Sequence, residues 1–191
     1  MRVIGGEFRS RRLLRPPKGV RATPDRVREA LFSSLGPIEG DRVLDLCAGT
    51  GALGIEALSR GANSAVFVDG ARPSITTIHS NLEGLGLLRR SVLREQRVLS
   101  FLQQRRETEP FDLVLFDPPY GSEDTAAVLE TLVLGGWLRP GAKVVLETAT
   151  RDTSPRVAGL SCRSEKHYGT TRITRFDFEP AVAGPDSGFE E

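Results

Sequence analysis

The residues Asp117-Pro118-Pro119-Tyr120 follow the apolar run Leu113–Phe116 in a chain of 191 residues. Two consecutive prolines fix the backbone and remove their own amide donors, which leaves the local carbonyls as acceptors. Asp117 accepts hydrogen bonds, and Tyr120 offers a ring on which a planar group can stack. Together they suit an exocyclic amine on a flat base: two acceptors for its two hydrogens, and a stacking face. These four residues are the candidate catalytic set. The competing reading is an ordinary turn after a strand.

A second constellation begins in another apolar run, Val43–Leu46, which carries one acid, Asp45. A strand buried on both faces is close to continuously apolar, so an interior Asp needs a reason, and a ligand at the strand's carboxyl end supplies one. The run breaks into Cys47-Ala48-Gly49-Thr50-Gly51, where Gly49 and Gly51 remove side chains at a close backbone approach. Asp69 ends the next apolar run, eighteen residues after Gly51, where an acid can accept both hydroxyls of a ribose. Gly49–Gly54 also fits the dinucleotide pattern G-x-G-x-x-G. Asp45 opposes that reading, since its carboxylate would repel a pyrophosphate, and the chain has no room for a separate substrate domain. A nucleoside with a cationic or zwitterionic tail fits better, and S-adenosylmethionine is such a ligand.

The elements that must position these groups alternate. Expected strands are Val43–Leu46, Ala65–Asp69, Ser91–Arg94, Leu113–Phe116 and Lys143–Glu147, with helices near Ala52–Arg60, Pro73–Leu85, Val98–Arg105 and Thr125–Leu134. Glycines and prolines punctuate them, Pro140-Gly141 among them. The pattern predicts an α/β fold with a parallel, doubly wound sheet, closed by an antiparallel hairpin of Leu160–Tyr168 and Thr171–Phe178. Upstream, Thr23 is expected as an N-cap with Pro24 at the first helical position, ahead of an apolar face of Val27, Ala30, Leu31 and Leu35. The expected organisation is a basic arm or β-hairpin over residues 1–20, one domain over 21–179, and a tail over 180–191 that lacks any period.

Net charge is +1, but residues 1–30 hold nine Lys/Arg against three Asp/Glu, a balance of +6, while the rest hold 17 against 22, a balance of −5. Such a split points to a basic arm aimed at a polyanion. Arg2, Arg9, Arg11, Arg12, Lys18 and Arg21 are the candidate RNA contacts, with Phe8 among them; a solvated charged edge is the bland alternative. Two cysteines, Cys47 and Cys162, and two distant histidines, His79 and His167, form no disulfide framework and no metal spacing, so no metal is expected. No apolar run reaches membrane-spanning length and no signal peptide is visible at Met1–Arg15, so the expected setting is a reducing cytoplasm.

With these residues in view the sequence resembles the RsmD family, bacterial enzymes that methylate guanine N2 in 16S ribosomal RNA. The resemblance covers nearly all of residues 1–178. It rests on Arg2-Val-Ile-Gly-Gly, the segment Arg21–Phe32, the segment Leu44–Ala62, Phe116-Asp-Pro-Pro-Tyr and Tyr168-Gly-Thr-Thr. It implies a class I S-adenosylmethionine-dependent methyltransferase (Rossmann-like) fold with a seven-stranded, mostly parallel sheet whose last strand is antiparallel. It further implies that Asp45, Ala48, Gly49, Thr50 and Gly51 line the methionine part of S-adenosylmethionine. Asp69 and Gly70 would meet the ribose, Arg97 and Val98 would lie near the adenine, and Thr23 and Arg26 would approach the pocket. Two positions depart from the family's pattern: Ala71, where Asp is frequent, and Arg97, near where Asp usually contacts the adenine. The implied partner is 16S ribosomal RNA within a partly or fully assembled small subunit, with no membrane and a monomeric enzyme. Two other readings stay open: an amino-methylating enzyme acting on adenine N6 or glutamine, and a non-catalytic RNA-binding module.

Overall fold

The computed structural model describes residues 1–15, 23–106 and 108–180. Lys18, Arg21 and residues 181–191 of the expected tail lie outside the described residues.

Seven strands form one sheet: β1 Arg42–Leu46, β2 Ser64–Asp69, β3 Ser91–Glu95, β4 Phe111–Phe116, β5 Leu138–Ala149, β6 Leu160–Tyr168 and β7 Thr171–Phe178. Their spatial order is β3-β2-β1-β4-β5-β7-β6. Strands β1 to β5 pair in parallel, and β7 runs antiparallel to both neighbours, β5 and β6. The closing hairpin therefore inserts its second strand beside β5 and leaves β6 at the edge. Leu46 is level with Val68 on one side and Phe116 on the other, so β1, β2 and β4 end together. That shared end, beside the point where strand order reverses, is where open α/β sheets hold ligands.

Five α-helices cover the two faces: α1 Asp25–Leu35, α2 Ala52–Ser59, α3 Arg72–Leu85, α4 Val98–Leu102 and α5 Thr125–Leu134. Side chains alternate along each strand. Val43, Phe67, Leu113, Leu115 and Val145 pack with α1, α2 and α3. Leu44, Leu46, Val68, Val114, Phe116 and Leu146 pack with α4 and α5. The same alternation points Asp45, Asp69 and Glu147 to the α1–α3 face.

Three boundaries differ from expectation. Helix α4 stops at Leu102 rather than Arg105, because the Trp137 indole donates to the Leu102 carbonyl at 3.0 Å and satisfies a helix-end acceptor. Strand β5 begins at Leu138, five residues early, and carries Pro140-Gly141 in a register shift against β4 rather than ending there. Thr23 is not a helix cap. Pro24 occupies the cap position of α1, no side chain caps it, and the Thr23 hydroxyl is used elsewhere.

The N-terminal hairpin is docked rather than extended. One antiparallel bridge joins Arg2 to Arg12. Val3 and Leu13 are buried in the core. The Ile4 and Gly5 amides donate to the Glu56 carboxylate at 2.7 and 2.8 Å, and Phe8 N donates to Ser59 Oγ. Gly6 has φ 74°, and a Cβ there would lie 1.8 Å from the Ser59 carbonyl oxygen, so only glycine fits the turn.

Candidate active site

At the carboxyl ends of the strands lies a cavity of about 520 Å³, within the range of roughly 300–1,000 Å³ that small-molecule sites occupy. Its walls bring together the two constellations separated by some 70 residues in the sequence. Asp45, Ala48, Gly49, Thr50, Asp69 and Gly70 form one side, and Asp117, Pro118, Pro119 and Tyr120 the other, with Thr23 between. Arg26, Gly51, Arg97 and Val98 do not line it. Arg26 is exposed. Arg97 is exposed and pairs with Asp124 at 3.6 Å. Gly51 is buried and begins α2 with φ 75°; a Cβ there would press on Ile78 and Phe67, so its glycine serves the left-handed turn and packing.

Asp45 is buried, and its Oδ2 accepts from Gly54 N at 2.8 Å. Helix α2 can approach that closely because residue 54 has no side chain: a Cβ would meet the Phe67 ring at 2.3 Å. Oδ1 is buried without a hydrogen-bond partner. Burial pushes the Asp45 carboxyl up to about 8; the Gly54 amide opposes this and the neighbouring Asp69 adds to it. Asp69 is engaged on both oxygens, Oδ2 by Gly49 N at 2.9 Å and Oδ1 by Ala71 N at 2.8 Å. It pins both sides of the pocket floor and keeps a second lone pair on each oxygen for a ligand.

Cys47 sits at the start of the turn with φ 58°, a left-handed conformation that non-glycine residues seldom adopt. Burial, then the charges of Asp69, Asp117 and Asp45, push its thiol up to about 12, so it is no nucleophile.

On the opposite wall the Thr23 hydroxyl lies 3.0 Å from Glu147 Oε2 and 3.2 Å from Asp117 Oδ2. One hydroxyl proton serves two carboxylates there. The Tyr120 hydroxyl is 2.8 Å from Thr171 Oγ1 and 3.4 Å from Glu147 Oε1, which fixes the ring over the cavity mouth. The amide of Asp117 donates to the Leu46 carbonyl at 3.3 Å and ties the two strand ends together.

The sequence reading missed Glu147, Cys47, Met1, Ala71 and Ser74 as wall residues. The signal for Glu147 was present: an acid ending an apolar strand, the same signal that singled out Asp45 and Asp69.

The lining has four acids, Asp45, Asp69, Asp117 and Glu147, and no lysine, arginine or histidine side chain among the described residues. Such a wall repels a pyrophosphate and suits a ligand carrying positive charge. The buried, unpartnered Asp45 Oδ1 is complementary to an ammonium donor. The residues present therefore fit S-adenosylmethionine.

A second groove of about 480 Å³ runs between the N-terminal hairpin and α3, lined by Arg11, Arg12, Arg15, Asn81 and Gly84 among others. Arg2, Arg9, Arg11 and Arg12 are all exposed. Arg2 pairs with Asp25 at 3.4 Å, and Arg11 donates to the Gly84 carbonyl at 3.0 Å.

Comparison with known proteins agrees with this geometry. The sequence model of the family described as "Conserved hypothetical protein 95" matches residues 1–177. Ribosomal RNA small subunit methyltransferase D of Escherichia coli (strain K12) is 38% identical over 175 residues, covering 88% of this chain and 85% of that one. The protein of the same name from Haemophilus influenzae is 35% identical over 151 residues, covering 78% of each. A solved Escherichia coli structure, named provisionally as the methyltransferase yhhF, superposes with a TM-score of 0.85 at 35% identity, over 94% of this chain and 98% of that one.

Proposed function

The chain belongs to the RsmD family, and from that premise we propose that it methylates the exocyclic N2 of a guanine in 16S ribosomal RNA, using S-adenosylmethionine. The observation that carries the reading is a shared cavity. Asp117-Pro118-Pro119-Tyr120 faces the same space as the Asp45–Thr50 turn and Asp69.

S-adenosylmethionine, when bound, supplies an electrophilic methyl group on a sulfonium. Asp45, Ala48, Gly49 and Thr50 would hold its methionine part, and Asp69 with Gly70 its ribose. Guanine N2 is a weak nucleophile because its lone pair is delocalised into the ring. Asp117 and the Pro118 carbonyl accept the two amine hydrogens, and these bonds strengthen as the nitrogen gains positive character. Tyr120, anchored through its hydroxyl, stacks on the base. Holding the amine in place supplies much of the acceleration, since near-attack geometry is worth roughly 7–11 kcal/mol. Asp117 or water takes the released proton.

A base reaches such a cavity only when unstacked, so the substrate is a loop or a partly or fully assembled small subunit. Arg9, Arg11, Arg12 and Arg15 would grip flanking phosphates. The test is transfer of a tritiated methyl group to naked 16S RNA and to small subunits, followed by nucleoside analysis. N2-methylguanosine is the expected product. Label in adenine or protein would favour the adenine or glutamine reading, and cofactor binding without transfer would favour a non-catalytic RNA-binding module.

A further inference from the structure

We propose that Glu147 is a specificity residue that reads the N1–H edge of the target base, so that the cavity accepts guanine and rejects adenine. The inference rests on the guanine N2 reading above and deepens it. Glu147 is buried at the end of β5, lines the cavity, and shares the Thr23 hydroxyl with Asp117. A single hydroxyl within 3.2 Å of both side chains sets the two carboxylates side by side. The wall beside Tyr120 is therefore a pair of acceptors. A carboxylate has about four lone-pair sites, so contacts to Thr23 and Tyr120 leave Glu147 able to accept from a ligand.

Guanine presents two neighbouring donors on one edge, N1–H and the N2 amine. With the amine on Asp117, the next donor in the plane falls to the next acceptor, Glu147. Adenine presents its N6 amine beside N1, which is an acceptor, and would set a lone pair against the Glu147 carboxylate. A buried site built for a donor rejects a base lacking it far more strongly than it rejects a change in size. Tyr120 stacks on any base and cannot make this distinction; neither can Asp117, which meets an amine in both cases.

The test replaces the methylated guanine by 2-aminopurine, which keeps the amine and has an acceptor at N1. Small subunits are reconstituted around ligated 16S RNA carrying either base, and single-turnover methylation is measured. Wild-type protein is expected to favour guanine by roughly a hundredfold or more. Glu147→Gln presents either a donor or an acceptor from its amide, so the ratio should fall to about ten or less, with S-adenosylmethionine affinity kept. A wild-type ratio near one, or an unchanged ratio in E147Q, overturns the inference. Tyr120→Phe removes the hydroxyl that Glu147 contacts and should leave the ratio unchanged; if it shifts the ratio as E147Q does, Glu147 acts only by bracing Tyr120 and the inference fails. A measurement on wild type alone stands beside these: RNA with inosine at the position, which keeps N1–H, should compete about tenfold better than RNA with purine. Equal competition also overturns it. Absence of any methyl transfer to guanine by wild-type protein would instead sink the parent reading.

Discussion

At Asp45 the energetics of one buried acid become measurable. Its carboxyl rises from 3.8 to about 8 through burial, so the folded state binds a proton that the unfolded chain has released. Stability from this group is fully present below about pH 4 and is lost as pH rises through about 8, with a slope of at most about 1.4 kcal/mol per pH unit. Asp45→Asn keeps an acceptor for Gly54 N and cannot ionise. Denaturant titrations of ligand-free protein at pH 5 and pH 8 should show wild type losing stability that the Asn variant retains; parallel losses would mean that Asp45 titrates normally. Cys47 yields a second expectation. With its thiol pushed up to about 12 and Cys162 exposed, iodoacetamide at pH 8 should label Cys162 alone until the protein unfolds, as read by peptide mass spectrometry. Asp117 bears on catalysis directly. Asp117→Ala should remove most single-turnover rate on saturating RNA and leave cofactor affinity close to wild type, the pattern of a group acting in the transition state. Near-normal turnover would break the assignment of the amine to Asp117. Among these residues, Asp45, Asp69 and Asp117 were legible in the sequence because an acid interrupting or ending an apolar run is a local signal. Thr23 was not. Its local context reads as a helix cap, and the carboxylates that claim its hydroxyl lie 94 and 124 residues away.

The elements show the same division between local and distant causes. The parallel sheet followed from alternating apolar runs and helical periods, and the helix ends α1 to α5 from glycine and proline punctuation. What periodicity could not give was how the N-terminal hairpin sits. Its attachment is concentrated in α2, all eight of whose residues are buried, including Glu56. That carboxylate receives the Ile4 and Gly5 amides and Arg60 Nε at 2.7 Å. A charged residue inside a buried helix reads in sequence as a solvated face, and only the fold reveals three donors converging on it. Each hydrogen bond to a charged group contributes roughly 1.5–3 kcal/mol, and removing the acceptor leaves its donors unpaired. Glu56→Ala should therefore lower the thermal midpoint and expose Arg9–Arg12 to trypsin well before the core unfolds. A midpoint and cleavage pattern equal to wild type would show that the hairpin is held by Val3 and Leu13 alone.

Across the whole molecule, charge is sorted by place. The acids of the cavity line the strand ends, while Arg9, Arg11, Arg12 and Arg15 stand outside on the hairpin and along α3. Met1 of the same hairpin lines the cavity, so the basic surface begins where a base would enter. An arrangement of this kind separates two jobs: phosphates are held at the rim by positive charge, and the base is handled inside by acceptors and a ring. Replacing Arg9, Arg11 and Arg12 together by alanine tests that division. The hairpin's own backbone bonds, Val3 N to the Arg11 carbonyl and Ser10 N to the Val3 carbonyl, do not involve the removed side chains. The fold and S-adenosylmethionine affinity should survive. RNA affinity should fall for all sequences alike, and the slope of log affinity against log salt should flatten by roughly 0.7–0.9 per lost phosphate contact. Fluorescence anisotropy with a 16S RNA fragment over a salt series reads the slope, and a cofactor titration on the same samples reads the cavity. An unchanged slope would return these arginines to a solvated edge that keeps the protein soluble. Loss of cofactor binding alongside RNA binding would contradict the division itself, since the cavity would then depend on charges that none of its walls contains.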